Sequence, residues 1–163
     1  MSRTQAWWDE WFLGMAAYVA TGSKDPSTKV GAVIVRPDRT VLSTGFNGFP
    51  KGIVDAPEVL ADREKKLARI VHAEMNAILL SHETVRGCTL YTFPFAPCER
   101  CAAHVIQAGI STVVAPAKYA AGLNARWGAA LSLAGDMFQE AGVELRLHDF
   151  QKREDGDPSD TYS

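Results

Sequence analysis

The feature that most constrains this chain is a pair of short motifs, each standing where a helix is predicted to begin. The first is His72-Ala73-Glu74, and apolar residues at helical spacing follow it. The second is Pro97-Cys98-Glu99-Arg100-Cys101, which opens an amphipathic run. The free N–H groups and the dipole of a helix N-terminus favour thiolate over thiol. One imidazole and two thiolates make a three-ligand set for zinc, which requires a fold that brings the two helix ends together.

Either motif alone is a weak signal, because a histidine two residues before a glutamate is more often part of a solvated helix end. In combination they predict one catalytic zinc per chain, held by His72, Cys98 and Cys101. A catalytic zinc keeps its fourth coordination position for water. Glu74 is left over from the ligand set, and a carboxylate beside that water is suited to moving protons. We therefore predict that Glu74 is the catalytic residue.

The H-x-E and P-C-x-x-C pair is the signature of zinc-dependent nucleobase deaminases. The chain resembles the deoxycytidylate (dCMP) deaminase family of the zinc-dependent cytidine deaminase superfamily in four stretches that occur in the same order, residues 24–32, 45–50, 72–78 and 106–110. The likeness runs from about residue 7 to residue 147. It implies hydrolysis of dCMP to dUMP and ammonia, in support of thymidylate synthesis.

In the mechanism that this resemblance implies, zinc lowers the pKa of its bound water from about 16 to near 7. The resulting hydroxide attacks C4 of cytosine. Glu74 takes the water proton, delivers it to N3 and later carries a proton to the departing ammonia.

Several residues outside the zinc motifs are predicted to bind the substrate. Ser23 and Lys24 lie in a polar stretch that is typical of a turn, but a hydroxyl, loop N–H groups and an ammonium also suit a monophosphate. Gly22, just before them, stands where the family commonly has an arginine. Asn47 belongs to an Asn-Gly pair that usually marks a tight turn, and the resemblance assigns it to the sugar. Within the two zinc motifs, Ala73 and Pro97 complete the predicted substrate contacts.

The resemblance also implies assembly and control. Related dCMP deaminases are homo-oligomers, often hexamers, that dCTP with Mg²⁺ activates and dTTP inhibits. The block Gly45-Phe46-Asn47-Gly48 matches the region that lines their regulatory site. Residues 51–67 are mixed in character, and we expect a loop that runs into a helical turn and moves as a lid. The charged run at 63–66 within it is predicted to be a solvated face.

Alternating strand and helix patterns predict the architecture. Residues 30–36 and 41–46 form a predicted hairpin, and short strands follow at 89–92, 112–115 and 143–147, with a helix at 124–141 that Gly142 ends. Near the N-terminus a helical stripe is expected to pack on the sheet through Trp8, Trp11, Phe12, Met15, Tyr18 and Val19. These patterns favour a three-layer α/β/α sandwich with a mixed five-stranded sheet, cytidine-deaminase-like, over residues 1–150. Residues 151–163 are predicted to be disordered.

Composition excludes some classes of protein and supports others. The net charge of −2 argues against nucleic-acid binding, and the N-terminus lacks the apolar core of a signal peptide or membrane span. The three cysteines indicate a reducing cytoplasm, because two of them have a metal spacing and the count is odd. Cys88 is predicted to be a buried apolar residue, and His104 a packing or surface residue, since it lies one turn behind Cys101.

Two alternatives remain open. One is deamination of a related substrate, namely cytidine, free cytosine, a modified dCMP or adenosine in tRNA. The linker at 93–97 is one residue longer than in the dCMP deaminases it resembles, so base selectivity could differ there. The other is a non-catalytic zinc module, but such a module would have no use for Glu74 and would normally close its fourth coordination position with another Cys or His.

Overall fold

The computed structural model describes residues 2–151, with the backbone alone over 118–128. The predicted tail at 151–163 therefore lies outside the described residues, apart from Gln151. Among the described residues, no helix has the length and apolar character needed to cross a bilayer.

A five-stranded mixed sheet forms the middle layer. Its strands are β1 (Gly31–Val35), β2 (Val41–Phe46), β3 (Thr89–Phe93), β4 (Thr112–Pro116) and β5 (Glu144–His148). They lie in the order β2-β1-β3-β4-β5. β1 pairs antiparallel with β2 and β3, whereas β3, β4 and β5 pair in parallel. The predicted mixed sheet with a hairpin at one edge is confirmed.

Helices cover both faces of this sheet, which confirms the three-layer sandwich. They are α1 (Gln5–Ala20), α2 (Pro57–Ala61), α3 (Arg63–Arg69), α4 (Ala73–Leu79), α5 (Glu99–Ala108) and α6 (Ala117–Ala141). α1 packs on one face through a core with Val33, Val35 and Val114, and α4, α5 and α6 pack on the other. The predicted start of α6 at 124 is wrong. The helix begins directly after β4, with Pro116 as its N-cap residue. Proline has no side-chain group that can cap a helix, so the sequence carries no capping signal at this point.

The stripe predicted on α1 contacts the sheet in part: Phe12 is buried in the core with β1, and Trp8, Met15 and Val19 pack against that core. The prediction is wrong for Trp11 and Tyr18, which are 49% and 79% exposed. The residues that the helix buries are Asp9, Phe12, Leu13, Ala16, Ala17 and Ala20. The helix lies so close to β1 that a Cβ at Gly31 would fall 2.0 Å from the carbonyl oxygen of Ala16. Only small side chains fit at this point of close approach, and Ala16 and Ala20 occupy it.

The opposite face positions the helix that carries the first zinc motif. α4 lies directly over β2, where a Cβ at Gly45 would fall 2.4 Å from both the carbonyl oxygen of Ala73 and the N atom of Ala77. Ser43 also donates a hydrogen bond to the Ala77 carbonyl, at 2.7 Å. The sheet edge therefore holds the N-terminus of α4 in place.

Residues 51–67, which are predicted to form a loop and a lid, contain more helix than expected. This segment contains α2 and α3, and Asp62 caps α3 because its carboxylate accepts a hydrogen bond from the N–H of Lys65. The prediction of a solvated charged run is wrong for Lys66, which is 6% exposed.

Candidate active site

Two helix N-termini bring the predicted zinc ligands together. His72 is the N-cap residue of α4, Cys98 is the N-cap residue of α5, and Cys101 lies in the first turn of α5. The Nδ1 atom of His72 lies 3.6 Å from Sγ of Cys98 and 3.3 Å from Sγ of Cys101. The three ligand atoms all lie within 4.8 Å of one another.

This donor set fits zinc. Tetrahedral coordination with Zn–S of about 2.3 Å and Zn–N of about 2.0 Å separates ligand atoms by roughly 3.5 Å, close to the distances observed. Imidazole and thiolate are ligands that zinc prefers. Beside the triad, Oε2 of Glu74 is buried and has no hydrogen-bond partner among the described residues, so the site has one polar group that is not committed to the fold.

The remaining cysteine and the nearby histidine stay outside the metal group, as predicted. Cys88 is buried in the apolar core. His104 is exposed, and its Nδ1 lies 2.7 Å from the carbonyl oxygen of Arg100.

The ligands influence one another's protonation. A hydrogen bond from Cys101, with further help from His72, lowers the pKa of Cys98 to about 3 in spite of its burial. The same sulfur contact, together with burial, raises the pKa of Cys101. The hydrogen bond with Cys98 raises the pKa of His72, and the charge of Glu74 acts in the same direction.

Glu74 is the second chemically distinct group of the site. It is 3% exposed, and burial raises the pKa of its carboxyl, although a backbone hydrogen bond and the charge of His72 oppose this effect. A carboxyl can both accept and donate a proton in one reaction cycle, and a raised pKa makes it a stronger base when ionised.

One cavity is lined by His72 and Cys98 of the triad and by Glu74. The empty space within it is about 700 Å³, a volume that includes open solvent. Its lining includes Asp25, Ser27, Thr28, Val30, Asn47, Arg63, Lys66, Leu67, Ile70, His72, Ala73, Glu74, Phe95, Cys98 and Leu131. Phe95 belongs to the longer linker at 93–97, so that linker contributes to the wall of the site.

Of the five predicted substrate contacts, the structure brings two to the cavity, Asn47 and Ala73. Ser23 is buried but is not among the residues described as lining the cavity. Its hydroxyl donates a hydrogen bond to the carbonyl oxygen of Asn47 at 2.8 Å. Lys24 lies on the surface and forms an ion pair with Asp55 at 2.7 Å. Pro97 is fully buried and is also not part of the described lining.

Asn47 has a structural role in addition to its place in the cavity wall. Its Oδ1 accepts a hydrogen bond from the N–H of Val30 at 2.8 Å, and its Nδ2 donates to the carbonyl of Thr28 at 2.9 Å. Its neighbour Phe46 is 44% exposed and packs over Gly22, where a Cβ would fall 2.9 Å from the Phe46 ring. The regulatory role of this block remains a prediction.

Sequence reasoning missed a second polar cluster in the cavity. The Nζ atom of Lys66 lies 2.9 Å from Oδ1 of Asp25 and 3.0 Å from Oγ of Ser27. Oδ1 of Asp25 also accepts hydrogen bonds from the backbone N–H groups of Ser27 and Thr28, at 2.8 and 3.2 Å. Burial alone would raise the pKa of Asp25, but the hydrogen bonds from Lys66 and from the two N–H groups outweigh it and lower that pKa. The Asp-Pro-Ser sequence does indicate a turn, but nothing local links it to a lysine 41 residues away.

A three-layer sandwich with a His-Cys-Cys site at two helix ends and an adjacent buried glutamate defines a zinc-dependent deaminase, which is a hydrolase. Residues 6–117 match the family model described as "Cytidine and deoxycytidylate deaminase zinc-binding region", and the chain belongs to this family.

Individual relatives agree with this assignment. A protein of Aliivibrio fischeri named "Uncharacterized deaminase in luxG 3'region" is 44% identical over 138 residues, which cover 85% of this chain and 91% of its own. Deoxycytidylate deaminase of Homo sapiens is 40% identical over 115 residues, so the match spans 66% of this chain and 63% of the human one. A crystal structure of dCMP deaminase from the cyanophage S-TIM5 in complex with dCMP and dUMP has a TM-score of 0.65 at 24% identity, covers 85% of this chain and 94% of that one, and supports the fold.

Proposed function

We propose that this protein hydrolyses dCMP to dUMP and ammonia. The observation that carries the proposal is the convergence of His72, Cys98 and Cys101 beside the buried carboxyl of Glu74, at the wall of a cavity that opens to solvent. The similarity to human deoxycytidylate deaminase supports dCMP as the substrate.

His72, Cys98 and Cys101 would hold the zinc ion. When bound, zinc supplies a Lewis acid that makes water nucleophilic near neutral pH. Glu74 accepts a proton from the attacking water and donates it to N3 of the cytosine ring. It then carries the proton of the new C4 hydroxyl to the amino group, so that the C4 carbonyl forms as the C4–N bond breaks and ammonia leaves. Because Glu74 is buried and its pKa is raised, both directions of transfer are accessible to it.

The environment of Glu74 favours an enzyme over a non-catalytic zinc module. A structural zinc site closes its fourth coordination position with another protein ligand, and among the described residues the metal group has three members. Burying a carboxyl that has one oxygen without a partner is costly for the fold. A role of the Glu74 carboxyl in proton transfer would account for this cost.

Assembly, control and location are further parts of the proposal. The sequence Gly45-Phe46-Asn47-Gly48 and the exposed apolar side chains Val54 and Leu79 support a homo-oligomer that responds to dCTP with Mg²⁺ and to dTTP. Residues 51–67 would be the part that moves, since an effector acts only by binding two conformations unequally. All three cysteines are free, which supports a reducing cytoplasm.

Ammonia release from a panel of substrates tests the reaction. We expect zinc-loaded protein to prefer dCMP over cytosine, cytidine, deoxycytidine, CMP and dCTP. Preference for another member of the panel would establish the related-substrate alternative, which the longer linker at 93–97 makes worth testing. Absence of turnover on all of them, with zinc bound, would contradict the proposed reaction.

A further inference from the structure

We infer that Arg63 and Lys66, on α3, bind the phosphate group of the substrate and make the site selective for a nucleotide over a nucleoside. This inference rests on the proposed function and specifies its anion site. It differs from the expectation that Ser23 and Lys24 serve this purpose, because neither of those residues lines the cavity.

Lys66 is arranged to donate hydrogen bonds into the cavity. It is buried at the cavity wall, where it is held by Asp25 and Ser27. Its ammonium has three hydrogens, and the described contacts use two of them. Because the Ser27 hydroxyl accepts a bond from Lys66, its own hydrogen remains available for a ligand.

Asp25 does not cancel this arrangement, because its acceptor capacity is already used. Its carboxylate receives hydrogen bonds from Lys66, from two backbone N–H groups and, at 3.4 Å, from Nδ2 of Asn47. Arg63 lies on the same wall of the cavity. Arg63 and Lys66 are two cations and Asp25 is one anion, so this part of the cavity carries a net positive charge. Guanidinium, ammonium and hydroxyl donors around a positive site are the groups that bind phosphate oxygens.

The spacing also suits a nucleotide. Three helical steps and three extended steps connect Lys66 to His72, which corresponds to about 14 Å between their Cα atoms. Base chemistry at the triad and phosphate binding at α3 can therefore occur on one molecule. By contrast, the ammonium of Lys24 lies on the surface, 70% exposed and paired with Asp55.

Binding of the product pair dUMP and deoxyuridine to zinc-loaded protein tests the inference, because these ligands differ only in the phosphate. We expect wild-type protein to bind dUMP more tightly in calorimetry, and Arg63→Ala to lower the ratio of the two affinities about tenfold. Arg69→Ala is the matched control, since Arg69 is an exposed arginine on the same helix that does not belong to the described cavity lining. It should keep the wild-type ratio.

Lys66 needs a different variant, because its removal alone would leave Asp25 buried and unpaired. The pair of substitutions Lys66→Gln and Asp25→Asn replaces the ion pair by two neutral hydrogen-bonding groups, and circular dichroism would check that the protein folds. We expect this protein also to lose most of the preference for dUMP.

Equal binding of dUMP and deoxyuridine by wild-type protein would overturn the inference. So would an unchanged ratio of the two affinities in Arg63→Ala. A ratio that is lowered in Lys24→Ala and not in Arg63→Ala would also overturn it. The proposed reaction is judged separately by ammonia release. If dCMP were not turned over while the phosphate preference and its loss in Arg63→Ala were observed, the reaction would fail and the phosphate site would stand.

Discussion

The Sγ atom of Cys101 lies 3.3 Å from Nδ1 of His72, although 29 residues separate them in the chain. The two residues come from different helices, α4 and α5, whose N-termini meet at the same side of the sheet. A contact of this length between an imidazole nitrogen and a sulfur suits two ligands of one zinc ion.

Loss of either cysteine ligand should remove the metal. We expect Cys98→Ser and Cys101→Ser to lose zinc and activity together, and to loosen the fold around the site, because a hydroxyl is a poor replacement for a thiolate. Metal analysis of the purified proteins measures this. His104→Ala, which changes an exposed residue of the same helix, should keep one zinc per chain. A Cys98→Ser protein with full zinc content would contradict the ligand assignment.

Replacement of Glu74 should separate catalysis from binding. Glu74→Gln keeps the shape and polarity of the side chain but can no longer exchange a proton, so we expect turnover of dCMP to fall by several orders of magnitude. Zinc content and the affinity for dUMP should persist. Each tenfold in rate corresponds to only about 1.4 kcal/mol of barrier. Activity within about tenfold of wild type would therefore be too high for a residue that carries both protons.

Gly45→Ala should destabilise the protein strongly. The added Cβ would fall 2.4 Å from the backbone of α4, at Ala73 O and Ala77 N, and backbone atoms cannot rotate away. We expect the free energy of unfolding in urea to fall by about 3 kcal/mol or more. Gly14→Ala is the control, because nothing lies within 4 Å of the added Cβ on α1. It should leave stability unchanged or slightly raised. Equal stability of the two variants would refute the close packing of α4 on β2.

The buried ion pair of Lys66 and Asp25 should contribute more to the free energy of unfolding than an exposed ion pair on the same helix. We expect Lys66→Ala to cost about 3 kcal/mol at neutral pH, because it leaves a buried carboxylate without its cation. Lys65→Ala removes the exposed pair with Asp62 and should cost less than about 1 kcal/mol. Urea unfolding at pH 7 compares them.

The same pair predicts a dependence on acid. The pKa of Asp25 is lower in the folded protein than its ordinary value of 3.8, so its ionised form stabilises the fold above that pH. This contribution is lost as the pH falls through the folded pKa. The protein with both Lys66→Gln and Asp25→Asn should lose less stability than wild type below about pH 4. Parallel curves for the two proteins would show that the pair does not contribute. Zinc release at low pH affects both proteins alike and cancels in the comparison.

Regulation is tested by rate curves. We expect the rate against dCMP concentration to change when dCTP with Mg²⁺ or dTTP is added, and light scattering to show an oligomer. Identical hyperbolic curves in all three conditions would contradict the regulation and leave the oligomer standing. In that case the role of Asn47 would be to line the cavity and to hold, by its hydrogen bonds, the loop that it contacts.

The sequence alone was sufficient to predict the cluster of His72, Cys98 and Cys101 and the outline of the fold. His72, Cys98 and Cys101 could be predicted because their chemistry is rare and their spacing is local to two helix starts. The strands could be predicted because buried β-branched runs such as β1 show their burial in composition. Features of this kind depend on residues that are neighbours in the chain.

The tertiary structure decided which side chains share the cavity. Lys66 looks like any member of a charged run, and only contact with Asp25, 41 residues away, makes its burial possible. In α1, alanines contact β1 because Gly31 permits a close approach, whereas Trp11 and Tyr18 of the same hydrophobic pattern are exposed. Burial of a charge and the distance between two layers depend on partners distant in sequence, so no local periodicity encodes them.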